Sequence, residues 1–396
     1  MNKGMLLSSI MLLSMPVMVL VSCKDPVNAP TLSLPEQQVS TGLLADYNEK
    51  NLTVLAGKLR NSSSEMTHVL VLGDSHIAAD FLTGQFRQLF QNKYGSGGVG
   101  FISPVAVPGN RYSNVSFSKA RGWQLESSRG QVNPAFTLGG YILRPLPDSM
   151  DYHVRTVDST SDIRAQVLYR APGGATLNLQ GKPLLLADTQ EGWALSEPAV
   201  VPSSFSVSFA GGNTTQLGGL WLRSSRPGGV IISALGINGS QISMLDKWHN
   251  NWPDTLRMLG ADMVILAYGT NEAFNNNLSL DEYRQVLVRQ IRKIRRAQPE
   301  AAIMLIGPGS SIMNKGAVTC EQRQPKLLKP IIHVQKQVAQ EQHTLYWDWF
   351  AWMGGDCSIE RLARQGKARP DLIHLTPEGY QDSAAALWRE LEEKLD

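Results

Sequence analysis

The chain has little cysteine and little charge. Only 3 of its 396 residues are cysteine, and no Cys/His pair has the spacing of a zinc site, so no metal centre is expected. Charged residues make up 18%, and a formal net charge of +3 is too small to argue for nucleic acid or an anionic membrane surface as a partner. Hydrophobic residues make up 42%, which suits a globular protein with a true core and not a disordered chain. A length of 396 residues predicts two domains, or one with a large insertion.

Lys3 precedes an apolar run from Met5 to Val21, interrupted by serines and one proline. This reads as a signal-peptide core and not as a stable spanning helix. The run ends Leu20-Val21-Ser22-Cys23, which resembles a bacterial lipobox. Residues 1–22 are then a lipoprotein signal peptide and Cys23 the acylated N-terminus, with an ordinary signal peptide or an uncleaved anchor as alternatives. Lys24 does not resemble an inner-membrane retention signal, which implies the periplasmic face of the outer membrane of a Gram-negative bacterium. The membrane is then a partner through the lipid anchor alone. Residues 23–36 read as a tether carrying three prolines. Cys320 and Cys357 remain; in an exported chain they are a candidate disulfide, the alternative being two buried thiols.

Residues 37–60 have helical spacing in Leu43, Leu44, Tyr47, Leu52, Leu55 and Leu59. Val69–Leu72 is an aliphatic run expected to form a strand buried on both faces, stopping at Gly73-Asp74-Ser75. A helical pattern with Phe81, Phe86, Leu89 and Phe90 follows. Gly95–Gly100 has the spacing of a dinucleotide fingerprint but follows a helix, so it reads as a glycine-rich loop. From Pro104 to Pro227 short alternating segments are separated by Gly/Pro/Asn turns, the pattern of a β-sandwich. At Gly229 the parallel-strand texture returns, with further strands at Val264 and Ala302. Between these two lies an amphipathic helix capped by Ser279, whose arginines Arg289, Arg292, Arg295 and Arg296 read as a solvated face. A last helix runs from Pro377 to Leu395. Strand and helix alternate, so the expected fold is α/β, a doubly wound parallel sheet over 37–103 and 228–396, with the β-sandwich 104–227 inserted.

In such sheets ligands bind beyond the carboxyl ends of the strands. Turns at those ends carry Gly73-Asp74-Ser75-His76, Gly236-Ile-Asn238-Gly239-Ser240 and Tyr268-Gly269-Thr270-Asn271-Glu272, and Asp371-Leu-Ile-His374 precedes the final helix. In order and placement the set resembles the SGNH (GDSL-type) hydrolases. Gly-Asp-Ser-His, the nearby Tyr94-Gly-Ser-Gly97-Gly98-Val-Gly100-Phe and the inserted β-domain resemble, within that family, the peptidoglycan O-acetylesterases. In those enzymes the insert resembles a carbohydrate-binding module.

The resemblance implies a serine esterase that deacetylates peptidoglycan or another O-acetylated glycan, with no cofactor. Lipid esters, and a catalytically inactive wall-binding lipoprotein, remain as alternatives. Ser75 is the expected nucleophile, His374 its base and Asp371 the group that orients the base, three residues earlier on one short loop. The backbone N–H groups of Ser75 and Gly239 and the amide of Asn271 are the expected oxyanion donors. Glu272 stands where many family members have Asp, and its part is open. His76 is expected to point away from the reacting centre. Sequence leaves the oligomeric state open.

Overall fold

The four aliphatic residues of Val69–Leu72 alternate between two buried layers. The computed structural model describes residues 42–157, 162–212 and 214–396; the signal sequence, Cys23 and the tether lie outside the described residues. Val69 and Val71 join a core with helices Leu52–Arg60, Leu82–Tyr94 and Pro377–Leu395. Leu70 and Leu72 join a second core with helices Trp252–Leu259, Leu280–Ala297 and Leu328–Gln342. This period-two burial on both faces is what a run of consecutive aliphatics requires.

The sheet between these layers has the order Leu44–Asp46, Leu345–Trp347, Ala302–Ile306, Met263–Ala267, Met66–Gly73, Gly229–Gly236. The first pair is antiparallel and the rest are parallel. The chain moves from Met66–Gly73 outward to Gly229–Gly236 and then back to Met263–Ala267. The topological switch point therefore lies between Met66–Gly73 and Met263–Ala267, where a ligand crevice is expected.

The segment 37–60 is corrected by the structure. Its described part is a short edge strand, Leu44–Asp46, followed by the helix Leu52–Arg60. Asn48 between them has φ +67°, which ends any helical continuation. Glu49 then takes a buried place, accepting the N–H of Ile303 at 3.0 Å and pairing with Arg295 at 2.5 Å. Arg295 is thus not on a solvated face, whereas the other three arginines are more open. The partner strand Leu345–Trp347 was not expected either, being only three residues long.

Between the first and second parallel strands the chain forms two antiparallel sheets. One has the order Lys182–Leu186, Ala175–Leu179, Ser204–Gly212, Tyr152–Thr156, Val115–Phe117. The other is built on Ile163–Arg170, Gln216–Ser224, Tyr141–Pro145 and Trp123–Ser127. Tyr152, Val154, Leu177, Phe205 and Val207 share a core with Val167, Leu217, Leu220 and Leu222.

The way in and the way out of this sandwich are zipped together. Gly100–Ile102 pairs antiparallel with Gln216–Ser224, placing Gly100 opposite Leu222 and Ile102 opposite Leu220. Phe101 and Trp221 join the core of Leu70, Leu72 and Ile231, and so do Phe136, Leu138, Ile142 and Leu168. His68 locks this junction. Its Nε2 lies 2.8 Å from Ser233 Oγ, which also accepts the N–H of Phe101 at 2.8 Å. Its ring sits 4.6 Å from that of Trp221, and burial holds the imidazole down to about 3, so it stays neutral.

A shared core argues against a detachable insert. Removing 104–227 uncovers the faces against which Phe136, Leu138, Ile142, Leu168 and Trp221 pack. The shortened chain is expected to lose p-nitrophenyl acetate hydrolysis and a cooperative thermal transition. Wild-type hydrolysis by that deletion would show the sandwich to be an independent module.

Candidate active site

Ser75 is the first residue of a one-turn helix, Ser75–Ala78, set directly on the strand end. Asp74 caps this turn by accepting the N–H of His76 at 2.9 Å. The turn fits because Gly236, at the end of the neighbouring strand, has no side chain. A Cβ there would come within 2.0 Å of the Ala78 nitrogen. The serine is therefore held over the gap between strands by close backbone packing.

The base comes from the far end of the chain. His374 Nε2 lies 2.9 Å from Ser75 Oγ, and His374 Nδ1 lies 3.0 Å from Asp371 Oδ2. A carboxylate at Nδ1 fixes the proton there and leaves Nε2 free to accept from the serine hydroxyl. Asp371 also builds the loop it stands on. Its Oδ1 accepts the N–H groups of Ile373 and His374, each at 2.9 Å. Burial works against its charge, but the His374 and Ile373 N–H groups and the imidazole hold the carboxyl below its ordinary range. Leu372 between them has φ +60°, at a cost of roughly 1–2 kcal/mol. Its carbonyl accepts the N–H of Ile312 at 2.9 Å and its N–H donates to Arg369 O at 3.0 Å.

The expected oxyanion donors stand on the turns that follow Met66–Gly73, Gly229–Gly236 and Met263–Ala267. Among the described residues no acceptor takes the backbone N–H of Ser75 or of Gly239. Gly239 has φ +76°, and a Cβ there would meet nothing within 4 Å. The glycine is required by its backbone angle and leaves the turn open to a substrate. Asn271 is engaged: its Nδ2 donates to Ser240 O at 2.9 Å and, less closely, to Asp74 Oδ2 at 3.3 Å.

Glu272 has a definite place. Buried, it accepts the N–H of Gly269 at 3.0 Å and of Ile242 at 2.7 Å, joining the third turn to the second. The signal was present in the sequence, since a Glu three residues after a turn's first residue can reach back to that N–H. Burial raises its carboxyl to about 7. Asp74 is raised to about 8 by burial and by the nearby Glu272, against the opposing His76 N–H. His76 lies beneath the base, its ring 5.1 Å from that of His374 and its Nδ1 2.7 Å from Tyr380 Oη. Burial and the neighbouring His374 hold it down to about 3.

One further feature was not legible in the sequence. The loop after the first sandwich strand forms a wall of the site. Arg111 N–H donates to Ala78 O at 2.9 Å, and Asn110 Nδ2 donates to Gly236 O at 3.0 Å. Asn238 Nδ2 in turn donates to Asn110 Oδ1 at 3.0 Å, beside Gly239. The candidate disulfide is formed: Cys320 and Cys357 are bonded, and Arg323 O, at the end of the helix that Cys320 begins, accepts the N–H of Met313, next to Ile312. Among the described residues no cluster of side chains could hold a metal ion, and no helix is long and apolar enough to cross a membrane.

These buried groups set the pH dependence of stability. His68 and His76 fall from 6.5 to about 3 on folding, so the unfolded chain binds more protons across that window and stability is lost on acidification. Asp74 rises from 3.8 to about 8 and Glu272 from 4.5 to about 7, so the folded chain binds more protons there and stability is lost as pH rises. The two trends oppose each other between 4.5 and 6.5. Thermal melts are expected to show a plateau across that interval, with a fall below it and another toward pH 8. Asp74→Asn should remove most of the upper fall; an unchanged fall would mean that Asp74 is ionised in the folded protein.

Two protein families match this chain by sequence. The GDSL-like lipase/acylhydrolase family matches residues 204–381, and the N-terminal domain of peptidoglycan O-acetylesterase matches residues 97–200. The first match leaves out Ser75, which the sandwich separates from the other blocks. The solved structure "Peptidoglycan O-acetylesterase in action, 5 min" is 31% identical and superposes with a TM-score of 0.82, over 89% of this chain and 99% of its own. An acetyl xylan esterase is more distant, at 16% identity and a TM-score of 0.32, over 41% of this chain and 80% of its own. A family two carbohydrate esterase from Cellvibrio japonicus is 12% identical with a TM-score of 0.30, over 71% and 99%. No curated protein sequence matches.

Proposed function

The chain belongs to the peptidoglycan O-acetylesterases of the GDSL-like lipase/acylhydrolase family, and from that premise we propose that it is a serine esterase removing O-acetyl groups from peptidoglycan glycan strands. The observation that carries this reading is the Ser75–His374–Asp371 relay, with contacts of 2.9 and 3.0 Å at the switch point of the sheet.

Ser75 Oγ gives its proton to His374 Nε2 as it attacks the acetyl carbonyl. The N–H groups of Ser75 and Gly239 and the amide of Asn271 receive the oxyanion, each such donor being worth about 3–4 kcal/mol of transition-state stabilisation. Asp371 balances the imidazolium. His374 then passes the proton to the departing sugar oxygen, leaving acetyl-Ser75 and a free hydroxyl. Water, deprotonated by the same imidazole, attacks the acetyl group; acetate leaves and Ser75 Oγ recovers its proton. These steps need no cofactor.

Peptidoglycan lies outside the cytoplasm, and the lipobox at Cys23 supports anchoring at the periplasmic face of the outer membrane. The limits 37–103, 104–227 and 228–396 for the split hydrolase and its insert belong to the same reading. So does a glycan-facing role for the sandwich, which the wall at Asn110 and Arg111 supports.

Acetate release from O-acetylated peptidoglycan tests the reading. Ser75→Ala is expected to lower it by about 10⁴-fold or more, and Asp371→Asn by about 10³–10⁴-fold. Equal release by wild type and Ser75→Ala would remove Ser75 as nucleophile. A wild type that cleaves only p-nitrophenyl acetate would keep the relay and lose the substrate. Asn271→Ala is expected to lower kcat by about 10²–10³-fold. An unchanged kcat would leave Asn271 as a structural clamp alone.

A further inference from the structure

Most cations of the helix Leu280–Ala297 are neutralised within the protein. On Leu280–Ala297, Arg284 pairs with Glu341, Arg289 with Asp246 and Arg295 with Glu49. On the segments around the relay Lys367 pairs with Asp382, but three other cations have no such partner. Arg111, Lys315 and Arg369 are exposed, and none is in an ion pair with a described residue.

Each of the three stands on a segment tied close to the reacting groups. Arg111 hangs from the carbonyl of Ala78, one turn after Ser75, and its guanidinium lies 4.3 Å from the centre of the Phe81 ring. Phe81 stacks on Tyr380 at 6.1 Å, and Tyr380 lies on the helix that begins three residues after His374. The N–H of Arg369 donates to His374 O at 2.8 Å, and its charge acts on the Tyr380 hydroxyl. Lys315 Nζ donates to Pro370 O at 2.8 Å, next to Asp371. One of these cations thus comes from the loop after Gly100–Ile102 and two from segments beside the base. The one carboxylate on the base loop, Asp371, is already committed to His374.

Unpaired guanidinium groups at a site's rim suit a carboxylate of the substrate. In peptidoglycan, carboxylates lie beside the sugar: in the lactyl group when no peptide is attached, and along the peptide stem otherwise. Resting on the function proposed above, we infer that Arg111 and Arg369, aided by Lys315, form a carboxylate-binding rim that selects anionic glycan, so that acetyl groups next to such carboxylates are removed in preference to those of neutral glycans.

The test compares O-acetylated peptidoglycan with the same material after carbodiimide coupling to glycinamide, which turns its carboxylates into amides. Wild-type kcat/KM is expected to be about tenfold higher on the untreated substrate, through KM, with the preference shrinking as salt is raised. In Arg111→Ala/Arg369→Ala the preference should fall toward one, and Arg111→Lys/Arg369→Lys should restore part of it. Loss on the untreated glycan should exceed any loss on p-nitrophenyl acetate. Amidase-treated strands, which keep the lactyl carboxylate alone, separate the two sources: retained preference assigns the lactyl group, lost preference the peptide stem. Equal wild-type action on native and amidated glycan, or an undiminished preference in the double variant, overturns the inference while leaving the esterase reading intact. Equal losses on all substrates, p-nitrophenyl acetate included, also overturn it. Failure of the wild type to release acetate from either glycan, with p-nitrophenyl acetate still cleaved, is instead failure of the parent reading.

Discussion

Asn271 joins the ends of three parallel strands with one amide group. It stands on the turn after Met263–Ala267, donates to Ser240 O after the second strand, and donates to Asp74 Oδ2 after the first. Its own carbonyl accepts from Gln241 Nε2 at 3.0 Å. Glu272, next in the chain, repeats the bridge with two backbone N–H groups. Loops at the top of an α/β sheet are free to vary, so a site spread over several of them needs ties of this kind. The ties of Glu272 are buried, where a polar group left without a partner would cost about 1–3 kcal/mol. That penalty keeps the turns in one arrangement.

The same tie constrains the chemistry. Asn271 holds the turns, and in the proposed reaction it also receives the oxyanion, so one of its hydrogens must be given up cheaply. The 3.3 Å contact to Asp74 is the weaker of its two. Burial raises Asp74 to about 8 and so favours its neutral form. A neutral carboxyl is a poorer acceptor than a carboxylate, and it places no negative charge beside an oxyanion. The burial that destabilises the ionised form of Asp74 thereby favours the reaction proposed at Ser75.

How much of this was legible in the sequence depends on how local each feature is. Gly73-Asp74-Ser75 and Asp371-Leu-Ile-His374 are local, and the geometry that joins Asp371 to His374 is made within four residues. The long parallel strands were legible because aliphatic runs have no other favourable place. Leu44–Asp46 and Leu345–Trp347 were not, because a three-residue strand has too few side chains to show a period, and this pair exists by its partnership. Leu44 carries helical spacing to Leu52 and Leu55, yet Asn48 at φ +67° and the buried Glu49 override it. His68 showed no pattern because its partners, Ser233, Leu259 and Trp221, come from far along the chain. Asp74 was read as part of a motif, and only its burial gives it a chemical part.

The sandwich follows from where the chain leaves the sheet. Gly229–Gly236 is an edge strand, so chain can be added beyond it without parting a ladder. Loop-closure entropy rises only with the logarithm of length, so a long excursion costs little more than a short one if its ends are held together. The pairing of Gly100–Ile102 with Gln216–Ser224 holds them. Phe101 and Trp221 in those strands reach into the α/β core, fixing the direction in which the sandwich leaves. From that base the segment 103–114 has one short route back past the nucleophile turn. It is pinned there by Asp80, which accepts the N–H of Ser113 at 2.8 Å while pairing with the buried Arg87 at 3.2 Å. An insertion entering elsewhere on the sheet would not bring its first loop to Ala78 and Asn238. The wall beside Ser75 is thus a consequence of the edge at which the hydrolase was interrupted.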